Sequence, residues 1–91
     1  MLTGSERKAL KGKAHKLEPV VQIGAKGLTG EVVAEIERAL IAHELIKVRA
    51  AALGRDERDE VLKQICARTG AEQVQQVGKL FVLFRKNDEQ A

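Results

Sequence analysis

The sequence is poor in aromatic residues and in cysteine. Its 91 residues include two phenylalanines, Phe81 and Phe84, and no tryptophan or tyrosine, so the core must be aliphatic. Both phenylalanines fall in an apolar run that looks buried, which argues against a surface that binds bases by aromatic stacking. The single cysteine, Cys66, cannot form an internal disulfide, and this fits a reducing compartment.

Long apolar runs are also missing. No stretch approaches the roughly 18 residues of a transmembrane helix, and the basic start is not followed by the apolar segment of a signal peptide. We therefore expect a cytoplasmic protein with no membrane partner. Length and a 44% hydrophobic content predict one domain over residues 1–91, ordered over about 3–86, with a frayed tail over 87–91.

Positive charge is concentrated in the first third of the chain. The net charge is +3, but residues 1–30 carry six basic and two acidic side chains, whereas residues 31–91 carry ten basic and eleven acidic ones. This asymmetry favours a polyanionic partner, although an ordinary basic face would produce it as well.

The first third predicts a helix followed by a strand. Thr3 and Glu6 have the spacing of a capping box, so a helix begins near residue 4 and runs to about Leu17, before Pro19 stops it. The short β-branched segment that follows predicts a strand over residues 20–23.

The middle of the chain predicts two further helices around a strand. Thr29 is the expected N-cap of an amphipathic helix over about residues 30–43. The alternating segment "ELIKVRAAAL" predicts a half-buried strand. A third helix follows, with Asp56 as a plausible cap and Gly70 as its C-terminal stop.

The chain ends in a predicted hairpin. Gly78 and Lys79 suit a two-residue turn between the Gln-rich strand "AEQVQQV", expected at an edge, and the central apolar strand "LFVLF". The order α-β-α-β-α-β-β, with two βα units before the hairpin, predicts an α/β (α+β) fold. We expect a four-stranded mixed sheet packed with helices, the first two strands parallel.

Catalytic and metal-binding constellations are not apparent. Neither His15 nor His43 has metal-ligand spacing, and a packed His43 is favoured because it falls on an apolar helix face. Cys66 also falls on an apolar face, which favours core packing over nucleophilic chemistry. No phosphate-binding loop of the G-x-x-x-x-G-K-[ST] type occurs. We expect no enzyme, no cofactor and no small-molecule substrate.

The segment Gly24-Ala25-Lys26-Gly27 has the pattern G-x-x-G. One interpretation is a tight turn that needs a positive φ. The other is an anion site, because the loop enters a helix whose first N–H groups and dipole attract negative charge, and Lys26 adds a cation. A loop of this pattern clamps the nucleic-acid backbone in KH domains.

The predicted first helix offers a second cationic surface. Its basic groups could track further phosphates or form a plain solvated face; they are Arg7, Lys8, Lys11, Lys13, His15 and Lys16. Weaker candidates, each expected to be an ordinary surface charge, are Lys47, Arg49, Arg85 and Lys86.

Two segments resemble a known family. "KGKAHKLEPVVQIGAKGLTGEVVAEIERALIAHELIKV", residues 11–48, and "QQVGKLFVLFR", residues 75–85, resemble the CRM domain (chloroplast RNA splicing and ribosome maturation), above all its stand-alone bacterial YhbY-like form. The specific segments are A-H-x-L-x-P, I-G-x-x-G-L-T and H-E-L-I-K-V. Ala25 departs from the polar or basic residue that relatives often have at its place.

The resemblance implies a fold similar to the C-terminal domain of translation initiation factor 3, with an added N-terminal helix. It also implies binding to ribosomal RNA in large-subunit precursors. The resemblance does not give the oligomeric state, for which we favour a monomer. The expected RNA-binding residues are Gly24, Ala25, Lys26, Gly27, Leu28 and Thr29, with Lys8, Lys11, Lys13, His15 and Lys16. The alternative function is a basic module that docks on ribosomal or regulatory proteins. A third hypothesis is a small phosphate-handling enzyme.

Overall fold

The computed structural model describes residues 2–87, which form three helices and a four-stranded mixed sheet. The elements are α1 (Gly4–Ala14), β1 (Val21–Gln22), α2 (Gly30–His43), β2 (Leu45–Arg49), α3 (Arg55–Thr69), β3 (Glu72–Val77) and β4 (Leu80–Phe84). The order α-β-α-β-α-β-β confirms the predicted fold class.

The sheet has the strand order β1-β2-β4-β3. Strands β1 and β2 are parallel, with Val21 opposite Val48, and the other two pairings are antiparallel. The Gln-rich strand lies at an edge and the apolar strand is internal, as predicted. Gly78 opens the hairpin turn with a φ of 57°, a conformation that favours glycine.

Two of the helices cover one face of the sheet, which we call the closed face. Ile36 and Leu40 of α2 and Ile65 of α3 are fully buried there against the inward residues of the strands, such as Val48 and Phe81. This cluster holds most of the buried apolar side chains, so it is the main source of hydrophobic stabilisation.

The opposite face, which we call the open face, carries α1. Its buried cluster is small: Ala14 packs with Val74 and Val82, and Leu10 and Phe84 contribute partly buried side chains. Successive residues of β4 alternate between the two clusters, as the period of two in a strand requires. One helix therefore covers only part of this face.

The first helix is shorter than predicted. Its capping box is present, since the Glu6 N–H bonds to Thr3 Oγ1 at 3.1 Å and the Thr3 N–H bonds to Glu6 Oε1 at 2.9 Å. The prediction that it runs to about Leu17 is wrong, because it ends at Ala14. The Leu17 carbonyl instead accepts a hydrogen bond from Lys47 Nζ at 3.0 Å, which leads the chain onto the sheet beside β2.

The third helix begins earlier than predicted. Its N-cap is Gly54, and the expected cap Asp56 lies inside the first turn. Glu57 makes this start possible, because its Oε1 accepts a hydrogen bond from the Gly54 N–H at 2.9 Å. Gly70 ends the helix in the left-handed conformation, with a φ of 74°, as the sequence predicts.

Residues near the C-terminus tie the sheet to the helices of the closed face. Arg85 Nη1 donates to both carboxylate oxygens of Glu37 at 2.9 Å and to the Thr69 carbonyl at 2.7 Å. Asn87 Nδ2 donates to the Ile41 carbonyl at 2.7 Å, at the end of α2. Asn87 belongs to the tail that was expected to fray, and residues 88–91 of that tail lie outside the described residues.

Candidate nucleic-acid interface

The G-x-x-G segment forms a closed turn at the end of β1. The Gly27 N–H bonds to the Gly24 carbonyl at 3.0 Å, which places Ala25 and Lys26 at an exposed tip. Gly27 has a φ of 78°, so the turn itself explains this glycine. The simple interpretation of the pattern, a turn that needs a positive φ, therefore holds for the second glycine.

Gly24 is not explained in the same way. Its φ lies outside the left-handed range, and apart from its two chain neighbours no residue of the described chain has an atom within 4 Å of a Cβ built on it. A side chain would therefore meet neither strain nor a clash within the protein. A glycine at this point leaves the backbone open to close approach by a group from outside, as a phosphate contact requires.

The loop leads directly into the N-terminus of α2. Thr29 caps this helix as predicted, since its Oγ1 accepts a hydrogen bond from the Val32 N–H at 3.2 Å. The first helical bond runs from the Val33 N–H to the Thr29 carbonyl at 3.0 Å, so the N–H groups of Gly30 and Glu31 precede it. These groups and the helix dipole favour an anion, while the Glu31 carboxylate in the first turn opposes one.

Leu28 anchors the loop to the rest of the fold. It is partly buried and packs against the hydrophobic cluster of the closed face, whereas Gly24 to Lys26 are exposed. The loop therefore has an accessible tip on a fixed base. This arrangement positions backbone groups without requiring them to become ordered when a ligand binds.

The cationic side chains of α1 lie on the other face of the sheet. Lys8, Lys13, His15 and Lys16 are exposed, and Lys11 is partly buried. Arg7 is held by β3, because its Nη1 donates to the Gln73 carbonyl at 2.9 Å. The helix and the loop do not form one patch, since α1 packs on the open face and the loop leads to α2 on the closed face.

Two basic residues of β2 lie between these surfaces. Lys47 contacts the link that follows α1 through its bond to the Leu17 carbonyl. Arg49 is exposed and pairs with Gln22 of β1, and its carbonyl accepts a hydrogen bond from the Ile23 N–H, one residue before Gly24. We call the series His15, Lys16, Lys47, Arg49 and Lys26 the basic path. It runs from α1 across the sheet edge to the loop.

From the sequence, Lys47 and Arg49 are expected to be ordinary surface charges, because alternating charges on a half-buried strand are common at protein surfaces. Only the register with β1 places Lys47 beside the link that follows α1 and Arg49 beside the residue that precedes the loop. Arg85 and Lys86 were also expected to be ordinary surface charges. Arg85 instead bonds to Glu37 and to the Thr69 carbonyl, whereas Lys86 is exposed.

A second group of cations was missed by the sequence interpretation. Arg55 and Arg58 line a cleft between the start of α3 and the hairpin, together with Gln76. Arg58 Nη1 donates to the Leu53 carbonyl at 2.8 Å, and its Nε is buried without a partner in the described residues. The sequence did not indicate a cationic cleft here, because the acidic residues of the segment "RDERDE" are typical of an ordinary helix start.

The groups with catalytic potential are dispersed. Burial raises the pKa of the Cys66 thiol, and the nearby Glu72 raises it further, so the thiol stays protonated near neutral pH. His43 is exposed at the end of α2, and the prediction that it packs in the core is wrong. Within residues 2–87 no three His, Cys, Asp or Glu side chains are placed to hold a metal ion.

One carboxyl group is also perturbed. Hydrogen bonds from the Thr3 backbone N–H, and then from the Thr3 side chain, lower the pKa of the Glu6 carboxyl. The cause is the capping box of α1, so the lowered pKa of Glu6 reflects the start of a helix and does not indicate a catalytic group.

Among the helices that the structure describes, none combines the length and apolar character needed to cross a membrane.

Comparison with known proteins places this geometry in a family. Residues 2–85 match the family model described as the CRS1 / YhbY (CRM) domain. The chain is 46% identical over 88 residues to an RNA-binding protein of Haemophilus influenzae, covering 97% of this chain and 89% of the relative. It is 44% identical over 86 residues to a probable RNA-binding protein of Pseudomonas aeruginosa, covering 94% and 83% respectively.

A solved structure has the same fold. The solution structure of a Staphylococcus aureus protein, described as a candidate RNA-binding protein, superposes with a TM-score of 0.85 at 32% sequence identity. The match covers 100% of this chain and 95% of the other. The likeness therefore extends over all seven helices and strands that the structure describes.

Proposed function

Because the chain belongs to the CRS1 / YhbY (CRM) domain family, we propose that it is a non-enzymatic RNA-binding protein that holds the RNA backbone. The names of its bacterial relatives support RNA as the partner. The observation that carries the proposal is Gly24, which is exposed in the loop between β1 and α2 although the fold does not require glycine there.

In the proposed mode, one phosphate lies against the turn of residues 24–27 and the first N–H groups of α2. Lys26 approaches it from the loop tip. Further phosphates follow the basic path across the edge of β1 towards α1. Recognition then depends on backbone shape and charge, which fits a chain with two phenylalanines, one of them fully buried.

The proposed RNA is ribosomal RNA in precursors of the large subunit, bound in the cytoplasm by a monomer. This part of the proposal rests on the resemblance of residues 11–48 and 75–85 to bacterial CRM proteins linked to such particles. Association with ribosomal particles that survives digestion of the RNA would contradict it and favour a protein partner.

The loop is tested by Gly24→Asp, which adds a carboxylate at the proposed phosphate site without backbone strain. Repulsion should weaken binding to single-stranded RNA by roughly tenfold or more. Fluorescence anisotropy with a labelled oligouridylate at fixed salt measures the change. Gly27 is unsuitable for this test, because a side chain at its positive φ would strain the turn.

Gly4→Asp is the matched control. Apart from its chain neighbours, Gly4 also has no atom within 4 Å of an added Cβ, but it lies in the first turn of α1 and not in the loop. The control should bind within about twofold of the wild type. Equal affinities of the two variants, both shown to be folded by circular dichroism, would exclude the loop as the phosphate site.

A further inference from the structure

A groove lies on the open face where α1 ends. Val77 of β3 and Leu80 of β4 are paired residues that form part of its apolar lining. Lys11, His15, Lys47 and Gln75 provide its polar lining, and the cavity volume is about 220 Å³. The groove exists because α1 stops at Ala14, so that the end of the sheet near the hairpin has no helix over it.

Apolar side chains are unusually exposed around this groove. Val77 is 52% exposed, and the nearby Val20 and Leu17 are 50% and 38% exposed. Both neighbours bond to Lys47 of the groove: the Val20 N–H donates to the Lys47 carbonyl, and Lys47 Nζ donates to the Leu17 carbonyl. Within residues 2–87, the remaining large apolar side chain with high exposure is Ile41, on α2.

The polar groups of the groove have one sign of charge. Lys11 and Lys47 are cations, and no carboxylate lines the groove. Gln75 adds an amide, which can donate and accept hydrogen bonds at once. An occupant that matches these groups has an apolar part, a polar edge that can both donate and accept hydrogen bonds, and a negative charge.

We propose that this groove receives one unstacked nucleotide of the bound RNA. The base lies against Val77 and Leu80, its edge meets the Gln75 amide, and its phosphate lies between Lys11 and Lys47. The volume suits a single base, because sites for drug-sized ligands occupy about 300–1,000 Å³. The inference rests on the proposed function and adds to it a site that contacts a base.

Nuclear magnetic resonance on the isotope-labelled 10.0 kDa chain tests the base contact directly. Uridine and adenosine monophosphates are titrated in parallel with ribose 5-phosphate, which carries the sugar and phosphate without a base. The nucleotides should shift the methyl signals of Val77 and Leu80, and ribose 5-phosphate should not. Equal shifts with all three compounds, or none with the nucleotides, would overturn the proposal.

A pair of variants tests the groove in the context of RNA. Val77→Glu places an acid in the groove at an exposed position, and Ile41→Glu makes a similar change, with the same added charge, on α2. Val77→Glu should bind oligouridylate about tenfold more weakly than Ile41→Glu, because one base contact and one favourable charge environment are lost. Equal affinities of the two folded variants would overturn the proposal.

The outcomes separate this inference from the proposed function. Loss of oligouridylate binding in Gly24→Asp, together with equal binding by the Val77 and Ile41 variants, would leave an RNA-binding protein without a base site. No binding of oligouridylate by the wild type would overturn both. Methyl shifts with an oligoglutamate peptide, and none with nucleotides, would assign the groove to an acidic protein partner.

Discussion

The two faces of the sheet are covered to different extents. On the closed face, α2 and α3 bury a large cluster in which Ile36, Leu40 and Phe81 are inaccessible to solvent. On the open face, α1 covers a small cluster around Val82 and leaves a groove beside it. Most of the stabilising burial is therefore on the closed face, and the open face leaves apolar surface uncovered.

This division explains the positions of the candidate binding groups. The basic path begins on the open face and crosses the edge strand β1 to reach the loop before α2. Because these groups contribute little to the core, their substitution should change binding more than folding. Substitution of closed-face residues should do the reverse.

The largest expected effect comes from the two phenylalanines of β4, which contribute to opposite faces. Phe81→Ala removes a fully buried ring from the closed face and should lower the free energy of unfolding by about 3–5 kcal/mol. Phe84→Ala, on the open face, should cost about 1–2 kcal/mol because the ring is partly exposed. Urea unfolding measures both, and equal losses would contradict the proposed difference between the faces.

A smaller effect is expected at the end of β4. Arg85→Gln removes the bonds to the Glu37 carboxylate and to the Thr69 carbonyl. It should lower the free energy of unfolding by about 1–2 kcal/mol, because the Arg85 and Glu37 side chains are both partly exposed. Lys86→Gln removes the same charge from an exposed neighbour and should leave stability unchanged. The two variants should bind RNA equally; a selective loss in Arg85→Gln would make Arg85 part of the interface.

The smallest expected effect is on the salt dependence of RNA binding. Lys47→Gln should reduce the slope of log affinity against log salt by about 0.7, the value for one phosphate contact on a single strand. Lys63→Gln, an exposed site on α3, is the control and should leave the slope unchanged. Stability should change by less than about 0.5 kcal/mol in Lys63→Gln and should fall by about 0.5–1.5 kcal/mol in Lys47→Gln, which also loses the hydrogen bond to the Leu17 carbonyl. An unaltered slope in Lys47→Gln would remove Lys47 from the basic path.

The sequence predicted elements well where local patterns were strong. The helix over residues 30–43 is confirmed to the residue, because Thr29 is a good cap and the apolar period is regular. The sequence predicted the C-terminal end of α1 and the start of α3 less accurately. α1 ends early because the link to β1 bonds to Lys47, and α3 begins early because Glu57 reaches back to Gly54.

The candidate site was predicted in part. The G-x-x-G loop and its position before a capped helix could be inferred from the chain alone, and the structure adds that Gly27 is needed for the turn whereas Gly24 is not. The positions of Lys47 and Arg49 relative to the loop could not be inferred, because the predicted pairing of the first two strands leaves their register open. The exposed position of His43 was also missed, since a helical period does not show where the opposing surface ends.

The sequence by itself determined the element order, the caps of α1 and α2, the edge position of the Gln-rich strand and the family. These depend on local hydrogen bonds, on periodicity and on short motifs, all of which involve residues close together in the chain. Only the tertiary structure decided that α1 and the loop belong to opposite faces, that β2 joins them, and that a groove remains where α1 ends. Those features depend on strand register and on how far each helix extends over the sheet, and both are set by contacts between residues far apart in the chain.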